Sequence, residues 1–419
     1  MQRTNLTRIA LACSLGLGLT LTQSAVAQDN RTFAMGGAGV ANGNYYQAAS
    51  LNPALVAAYE DRDHFGLILP SLYAEATDED EVFDAVDDFQ DSFDRLENLL
   101  QQWEQGQDVT EGEVEQARQQ VAQDFGNIEG TLVGRLGGQL ALAIPNRFAA
   151  MQFFANAELE AFGAPLLDEG DVDILLDAES MGALDELNSE GFVVGRLVTD
   201  LGVAIGSSFS IGGRDIRWGI APKLQEVESY TYFSALTDID EDDFDSSEYR
   251  SSSSEVNLDL GLSMELTERL SAGLTLNNAI SHTVEGQPTQ SNQFGDLVTL
   301  DYEIEPHAVA GLGYNTQRMS LSLDVDITTQ NYLGMTDESQ LMAFGQVRET
   351  QFVRAGYEYN VANWVQVRRG YRHDLEDTYE DAITAGLGLS PFGRLHLNVS
   401  AMYIDDRSFG AGAQLMFTF

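Results

Sequence analysis

The chain has 419 residues, of which 43% are hydrophobic and 21% are charged. This balance excludes a disordered polymer and allows one large domain or two to three ordinary ones. The 66 acidic and 22 basic residues give a net charge of −44 at pH 7, which argues against nucleic acid as a partner because the phosphates would be repelled.

The first 27 residues have the pattern of a secretory signal peptide. Arg3 and Arg8 precede an apolar stretch at 9–21, and a small-x-small cleavage site ends at Ala27. We therefore expect export and cleavage near Ala27. The one cysteine of the chain, Cys13, lies in this peptide, and its place early in the apolar run disfavours lipidation. The mature chain then has no disulfide and no thiol chemistry.

Residues 28–63 form a Gly- and Ala-rich segment without a strand pattern. Its run "GGAGVANG" looks like a nucleotide-binding loop, but no apolar strand precedes it, so we reject that function. In "SLNPALVAAY" (50–59), Asn52 is expected to hydrogen-bond to backbone or neighbouring groups, and Pro53 to fix a bend.

Residues 64–419 are dominated by apolar residues at every second position, which indicates half-buried strands. The run "EVNLDLGLSMEL" (255–266) is one example. These stretches are about ten residues long, the length of a tilted strand that crosses a bilayer. We predict fourteen strands, at 64–76, 131–144, 148–161, 192–211, 214–235, 252–267, 268–283, 304–316, 318–329, 348–361, 363–373, 380–391, 393–404 and 406–419.

The links between these strands are unequal in length. Tight links follow the even-numbered strands, whereas long links follow the first five odd-numbered ones, at 77–130, 162–191, 236–251, 284–303 and 330–347. Short periplasmic turns and long outer loops are typical of outer-membrane barrels. A soluble β-sandwich also shows alternating strands, but it does not require such uneven links. The predicted fold is all-β, a transmembrane antiparallel barrel of about 14 strands.

The first long link is predicted to form a helical hairpin at about 78–126. Apolar residues recur in it at helical spacing, and we consider two interpretations. Either the two apolar faces cover each other, or they form a surface that collects an apolar ligand. The two stripes are Val82, Val86, Phe89, Phe93, Leu96, Leu99, Leu100 and Trp103, followed by Val114, Ala117, Val121 and Phe125.

The link at 237–248 is strongly acidic, with the sequence "TDIDEDDFDSSE". It lacks the central glycine and terminal spacing of an EF-hand loop. We therefore interpret it as a solvated outer loop and leave its binding of divalent cations open.

Strand phase predicts which charges face the lumen. Arg354 and Glu358 alternate with apolar residues on one strand, as do Arg368 and Arg372 on the next. We consider two roles: Arg354 and Arg368 bind a ligand carboxylate, or the charges form an internal salt-bridge network. Arg369 falls on the lipid phase, which a bulge or an interface position would explain. Further predicted inner-face residues are Asp259, Asp324, Asp326 and Gln366.

The final run "AQLMFTF" (413–419) alternates like a lipid-facing strand. Its outward residues Leu415, Phe417 and Phe419 are similar to the C-terminal signal that the barrel-assembly machinery recognises. We therefore expect the closing strand to end at the periplasmic edge.

The sequence contains no recognisable catalytic constellation. Its five histidines are scattered, and it has neither G-x-S-x-G nor H-E-x-x-H. We expect neither an enzyme, nor a cofactor, nor a metal site.

The N-terminal segment resembles the plug of the long-chain fatty-acid transporter family of Gram-negative outer membranes. The resemblance rests on the Gly-rich run, then "SLNPALVAAY", then the first strand. It implies that residues 28–63 fill the lumen that a barrel of this size leaves. The barrel then spans 64–419. The plug and ligand residues would be Phe33, Gly36, Gly37, Asn52, Pro53 and Ala54.

The C-terminal stretches "FVRAGYEYNVANWVQVRRGYRHD" and "DAITAGLGLSPFGRLHLNVSAMYIDDRSFGAGAQLMFTF" look more like the TraF-like conjugal transfer branch of these barrels. The resemblance implies an outer-membrane channel for a hydrophobic small molecule such as a fatty acid or hydrocarbon. Passage would be passive and gated by a shift of the plug around Asn52. The alternative is a structural barrel for conjugal transfer or surface interaction. Expected partners are outer-membrane lipid, the barrel-assembly machinery and the hydrophobic ligand.

Overall fold

The computed structural model describes residues 29–60, 63–78, 81–239, 247–295 and 297–419. The predicted signal peptide lies outside these residues, and so does the centre of the acidic run 237–248.

The strands of the described residues are numbered here in chain order. They are Gly66–Asp78 (β1), Leu132–Ile144 (β2), Ala150–Leu166 (β3), Glu190–Ile211 (β4), Arg214–Ala235 (β5), Arg250–Glu265 (β6), Leu270–Asn277 (β7), His282–Val284 (β8), Thr289–Gln290 (β9), Leu297–Val298 (β10), Tyr302–Ile304 (β11), His307–Asn315 (β12), Met319–Asp326 (β13), Gln330–Asn331 (β14), Glu349–Thr350 (β15), Phe352–Ala362 (β16), Val365–Asp374 (β17), Ala382–Leu389 (β18), Leu395–Tyr403 (β19) and Ser408–Thr418 (β20).

Fourteen of these strands form one closed antiparallel barrel, in the order β1–β7, β12, β13 and β16–β20. The six short strands pair in the outer links, β8 with β11, β9 with β10 and β14 with β15. The predicted fourteen-stranded barrel is therefore confirmed. Each predicted strand overlaps one barrel strand, because the period-two pattern is local to each strand.

One predicted strand differs clearly in length. The strand expected at 268–283 ends at Asn277. Asn278 has a positive φ of 50°, and its backbone N–H donates to the Asp259 carboxylate at 2.7 Å. This bond turns the chain out of the sheet, and sequence periodicity does not register it.

The barrel closes where β1 pairs with β20. Beyond the terminal pair of Gly66 with Thr418, the rings of Phe65 and Phe419 stack with centroids 4.5 Å apart. The N–H of Phe65 donates to the Phe419 carbonyl at 3.1 Å, and the N–H of Phe419 donates to the Phe65 carbonyl at 2.9 Å. The outward face of β20 carries Leu415 and Phe417, whereas Gln414 is buried on the inward face.

Helices occupy the N-terminal segment and the outer links. They are Asn30–Phe33, Val82–Glu104, Glu111–Phe125, Asp171–Asp177, Met181–Leu184 and Asp337–Phe344, with 3₁₀ turns at Tyr45–Gln47, Pro53–Ala57 and Tyr332–Gly334. Among the described residues, no helix is both long and apolar enough to cross a membrane.

The two helices of the first outer link pack on each other. Their buried core holds Phe89, Leu96, Leu100 and Val121, and a reciprocal capping box between Thr110 and Glu113 begins the second helix. Thus most of the apolar stripe is covered within the link and is not exposed as a collecting surface. The helices of the next outer link contribute Leu175, Ala178 and Leu184 to the same core.

Replacing Leu96 with alanine is expected to loosen this hairpin without opening the barrel. Leu96 is fully buried, and such truncations cost about 2–5 kcal/mol because a cavity remains. Hydrogen exchange of helix 82–104 should accelerate while barrel strands stay protected. The control is Gln101→Ala, an exposed position on the same helix. Equal exchange in both variants would show that the hairpin does not depend on this core.

Candidate functional site: a closed lumen and an apolar cleft

The N-terminal segment, residues 29–58, lies inside the barrel against a set of inward-facing glycines. A Cβ atom built on any of these glycines would lie within 3.1 Å of an atom of residues 30–56. Backbone or side-chain atoms of the segment therefore lie directly against the barrel wall, where only glycine leaves room for them. We call this set the glycine girdle; its members are Gly206, Gly219, Gly261, Gly273, Gly311, Gly313, Gly356, Gly370, Gly386 and Gly412.

Asn52 is fully buried where the segment turns towards β5 and β6. Its Nδ2 donates to the carbonyls of Val40 and Leu262, both at 3.0 Å, and its Oδ1 accepts from the Ala54 N–H at 3.0 Å. Pro53 follows at the first position of the 3₁₀ turn, where its missing N–H costs nothing. Asn52 thus bonds to the segment and to the wall together.

Ala54 lies beside Asn52 against Gly219 and Gly261, whereas the other predicted plug residues lie on the opposite wall. Phe33 is buried against Tyr73, with ring centroids 5.4 Å apart. Gly36 and Gly37 have φ values of +70° and +88°. A side chain at Gly36 would meet the backbone of Tyr371 at 2.7 Å, so conformation and space both require glycine there.

Buried charges join the segment to the barrel. Arg31 Nε lies 2.8 Å from Glu358 Oε2, and Arg368 Nε lies 2.7 Å from the same oxygen. Arg368 also donates to Asn398 Oδ1 at 2.8 Å. On β13, one Asp324 oxygen accepts from the N–H groups of residues 39 and 40, at 2.7 and 2.9 Å.

The remaining predicted lumen charges are paired nearer the outer end. Arg354 Nη1 lies 2.5 Å from Asp326 Oδ1. Arg372 Nη2 lies 3.2 Å from Glu75 Oε2. Thus Arg354, Arg368 and Arg372 each have a carboxylate partner within the protein. The partners Arg31, Glu75 and Asn398 lie far away in the sequence, and strand phase alone does not identify them.

The outer mouth of the lumen is filled by residues of the outer links. They pack on inward-facing aromatic residues of β3–β5, and the Phe162 and Tyr332 rings lie 6.2 Å apart at 81°. Burial raises the pKa of Tyr332 to about 12, so this hydroxyl stays protonated in the closed mouth. The buried members of this cluster include Phe162, Phe192, Phe233, Val298, Leu300, Tyr302, Ile304, Leu333 and Met335.

A polar cavity of about 220 Å³ separates the N-terminal segment from the outer cluster. Lys223 Nζ reaches Asp200 at 2.9 Å and Asp259 at 3.2 Å across it. Glu158 and Glu303 also line it. Among the described residues, no cluster of three or more His, Cys, Asp or Glu side chains is arranged to hold a metal ion.

An apolar cleft of about 140 Å³ lies outside the lumen, between the first hairpin helix and the outer part of the barrel wall. Val82, Phe83 and Val86 line it from the helix, and Gly163 and Val193 are among its wall residues. Part of the predicted helical stripe therefore faces the barrel.

Comparison with known proteins places the chain in a family. A family model described as "F plasmid transfer operon, TraF, protein" matches residues 49–326, more than half of the chain. The chain belongs to this TraF family. The expected resemblance to the TraF branch is thereby confirmed. No curated protein matches the chain.

Solved structures share the barrel fold of this TraF-family chain. A TodX deltaS2S3 mutant, a monoaromatic hydrocarbon channel, has a TM-score of 0.51 at 12% identity, covering 94% of this chain and 98% of that chain. The Ralstonia pickettii toluene transporter TbuX has a TM-score of 0.51 at 11% identity, covering 94% of this chain and 97% of that chain. At these identities the similarity concerns the fold.

Proposed function

We propose that the protein is an outer-membrane channel through which a hydrophobic small molecule passes without energy input. The apolar cleft under the hairpin is the observation that carries this proposal. Its volume of about 140 Å³ is close to the roughly 150 Å³ of an apolar cavity that binds benzene. The predicted signal peptide and the fold shared with hydrocarbon channels support an outer-membrane location.

The cleft suits an apolar ligand better than the lumen cavity does. In the lumen cavity, a hydrocarbon would displace water from Asp200, Lys223 and Asp259 without replacing its hydrogen bonds. We therefore propose that ligand first binds in the cleft. Residues 28–63 then act as a plug, and a shift around Asn52 admits the ligand.

A carboxylate-binding role for Arg354 and Arg368 has weaker support. Both guanidinium groups already contact protein carboxylates, so a ligand would have to displace Asp326 or Glu358. Replacing both arginines with glutamine separates the two roles. A structural role predicts a lower melting temperature without a loss of uptake per folded barrel, whereas a carboxylate-binding role predicts a loss of uptake.

The strand β20 is proposed to contact the barrel-assembly machinery during insertion. Leu415 and Phe417 lie on its outward face and Phe419 follows its last residue, and the alternation resembles the signal read by that machinery. We also propose that the signal peptide is cleaved near Ala27 and that the plug ends at residue 63.

Filling the cleft is expected to abolish uptake. Val86→Trp projects an indole from the helix, and Gly163→Leu adds bulk from the wall. Uptake of radiolabelled toluene or long-chain fatty acid by a deletion strain carrying each variant measures the effect. The matched control is Asp94→Trp, which adds the same bulk on an exposed helix position. Normal uptake by both cleft variants would contradict this route.

A second candidate is a structural role in conjugal plasmid transfer. The family description names an F plasmid transfer operon, which favours this alternative. Transfer frequency from the deletion strain tests it. If the deletion lowers the transfer frequency and the cleft-filled variants restore it fully, the protein acts in transfer and not in uptake.

A further inference from the structure

Arg369 is a charged side chain at the middle of the lipid-facing surface. It is exposed on the outward phase of β17, while Arg368 and Gly370 on either side are buried. In the described barrel strands, the other Asp, Glu, Lys and Arg residues on outward positions lie at strand ends or on the outer extensions of β5 and β6. They are Asp78, Arg214, Glu226, Glu228 and Arg250.

The sequence left two explanations for Arg369, a bulge or an interface position, and the register excludes the bulge. Arg369 pairs directly with Tyr357 on β16 and with Ala385 on β18. The one irregularity between β16 and β17 lies at Asn360 and Ala362, near the periplasmic end. Arg369 therefore projects into the surroundings of the barrel.

An arginine in this place needs an anionic partner. Charged substitutions on the lipid face of a barrel are most unfavourable at the midplane and become tolerable towards the interfaces. The ion pairs of the described residues include none with Arg369, although Arg31, Arg354, Arg368 and Arg372 all have one. Within the described residues Arg369 therefore has no ion-pair partner, and we look for one in the surroundings of the barrel.

The polar residues nearest to Arg369 on the outward face lie towards the outer end of β17, on the side of the outer leaflet. Tyr371 and His373 are the next outward residues of β17, and Asp381 accepts from the Tyr371 hydroxyl at 2.5 Å and lies 2.6 Å from His373 Nδ1. Two strand residues span about 7 Å, a distance that an extended arginine side chain covers by snorkelling.

We propose that Arg369 binds a phosphate group of an outer-leaflet lipid on this wall of the barrel. Ala385 and Ala401 continue the row from Arg369 across β18 and β19, and their small side chains leave room for an acyl chain beside the guanidinium. A second copy of this chain is a poorer partner because the outward acid at this end of β17, Asp381, already contacts Tyr371 and His373. The proposal rests on the outer-membrane location proposed above.

Native mass spectrometry of the purified barrel titrated with lipid A tests this site. Wild type is expected to bind one lipid A, and Arg369→Gln about tenfold more weakly, as expected for a lost charge-assisted hydrogen bond. Arg369→Lys should keep part of the affinity because it keeps the charge. The matched control is Arg394→Gln, an exposed arginine beside the β18–β19 turn. Dephosphorylated lipid A should bind wild type and Arg369→Gln equally weakly.

Three results would overturn the proposal. They are equal binding of lipid A by wild type and Arg369→Gln, full competition by inorganic phosphate, or a photo-crosslinker at residue 369 that captures protein instead of lipid in membranes. Reconstitution into phosphatidylcholine vesicles, followed by a heat-mobility assay, checks barrel insertion separately. A failure there would contradict the outer-membrane location itself.

Discussion

Replacing Gly370 with alanine is expected to displace the N-terminal segment from the barrel wall. The new Cβ would lie 2.0 Å from the Gly36 backbone nitrogen and 2.2 Å from the Met35 carbonyl carbon. These two atoms belong to one peptide bond and cannot yield as a flexible side chain does, so the cost should reach or exceed the usual ~1–3 kcal/mol of overpacking. The strand itself tolerates alanine, and the barrel should therefore still form.

Protease cleavage within residues 29–58 measures this displacement. The matched control is Gly134→Ala on β2, where a Cβ meets no atom within 4 Å. We expect rapid cleavage with Gly370→Ala and slow cleavage with Gly134→Ala. A protected Gly370→Ala variant would show that the segment does not depend on this contact.

Replacing Glu358 with glutamine is expected to lower the free energy of unfolding by about 3–5 kcal/mol, the usual cost of breaking a buried ion pair from one side. Glu358 accepts from Arg31 at 2.8 Å and from Arg368 at 2.7 Å. Glutamine keeps the shape but leaves two guanidinium groups without their carboxylate in a poorly solvated lumen.

The control for this change is Glu265→Gln. Glu265 also pairs with an arginine of a neighbouring strand, Arg217, but the Glu265 side chain is 42% exposed. Exposed pairs contribute about 0–1 kcal/mol. Denaturant unfolding followed by the loss of heat-modified mobility compares the two variants. Similar losses in both would mean that water reaches Glu358 and that the lumen is not closed around it.

The two experiments probe different parts of one junction. Gly370→Ala tests close backbone packing, and Glu358→Gln tests the charges that fix the same segment. If both variants release residues 29–58 while the barrel persists, the segment behaves as a separable plug, as the channel proposal requires.

The barrel could be predicted from the sequence because the alternation of apolar and polar residues is local to each strand. The alternation in "EVNLDLGLSMEL" lies within one strand, β6, and needs no knowledge of neighbours. The same alternation gave the phase of Arg354, Glu358 and Arg368. It did not give the end of β7, because the bond from Asn278 to Asp259 joins two strands.

The glycine girdle is the clearest example of a feature that the sequence pattern does not explain. Its members stand on inward positions, and that phase is readable from the flanking apolar residues. A glycine in a strand, however, has several explanations, and the sequence did not distinguish a bulge from close packing. Only the position of residues 30–56 inside the barrel assigns the reason.

The number of barrel strands, their phase and the alternation of short and long links follow from the sequence alone, because hydrophobic periodicity and turn length are properties of consecutive residues. The pairing of charges, the closure of the lumen and the position of the apolar cleft depend on the folded barrel. Arg31 and Glu358 are separated by 327 positions, and barrel closure brings them together. Such contacts depend on the shear and circumference of the whole sheet, which no single stretch of sequence encodes.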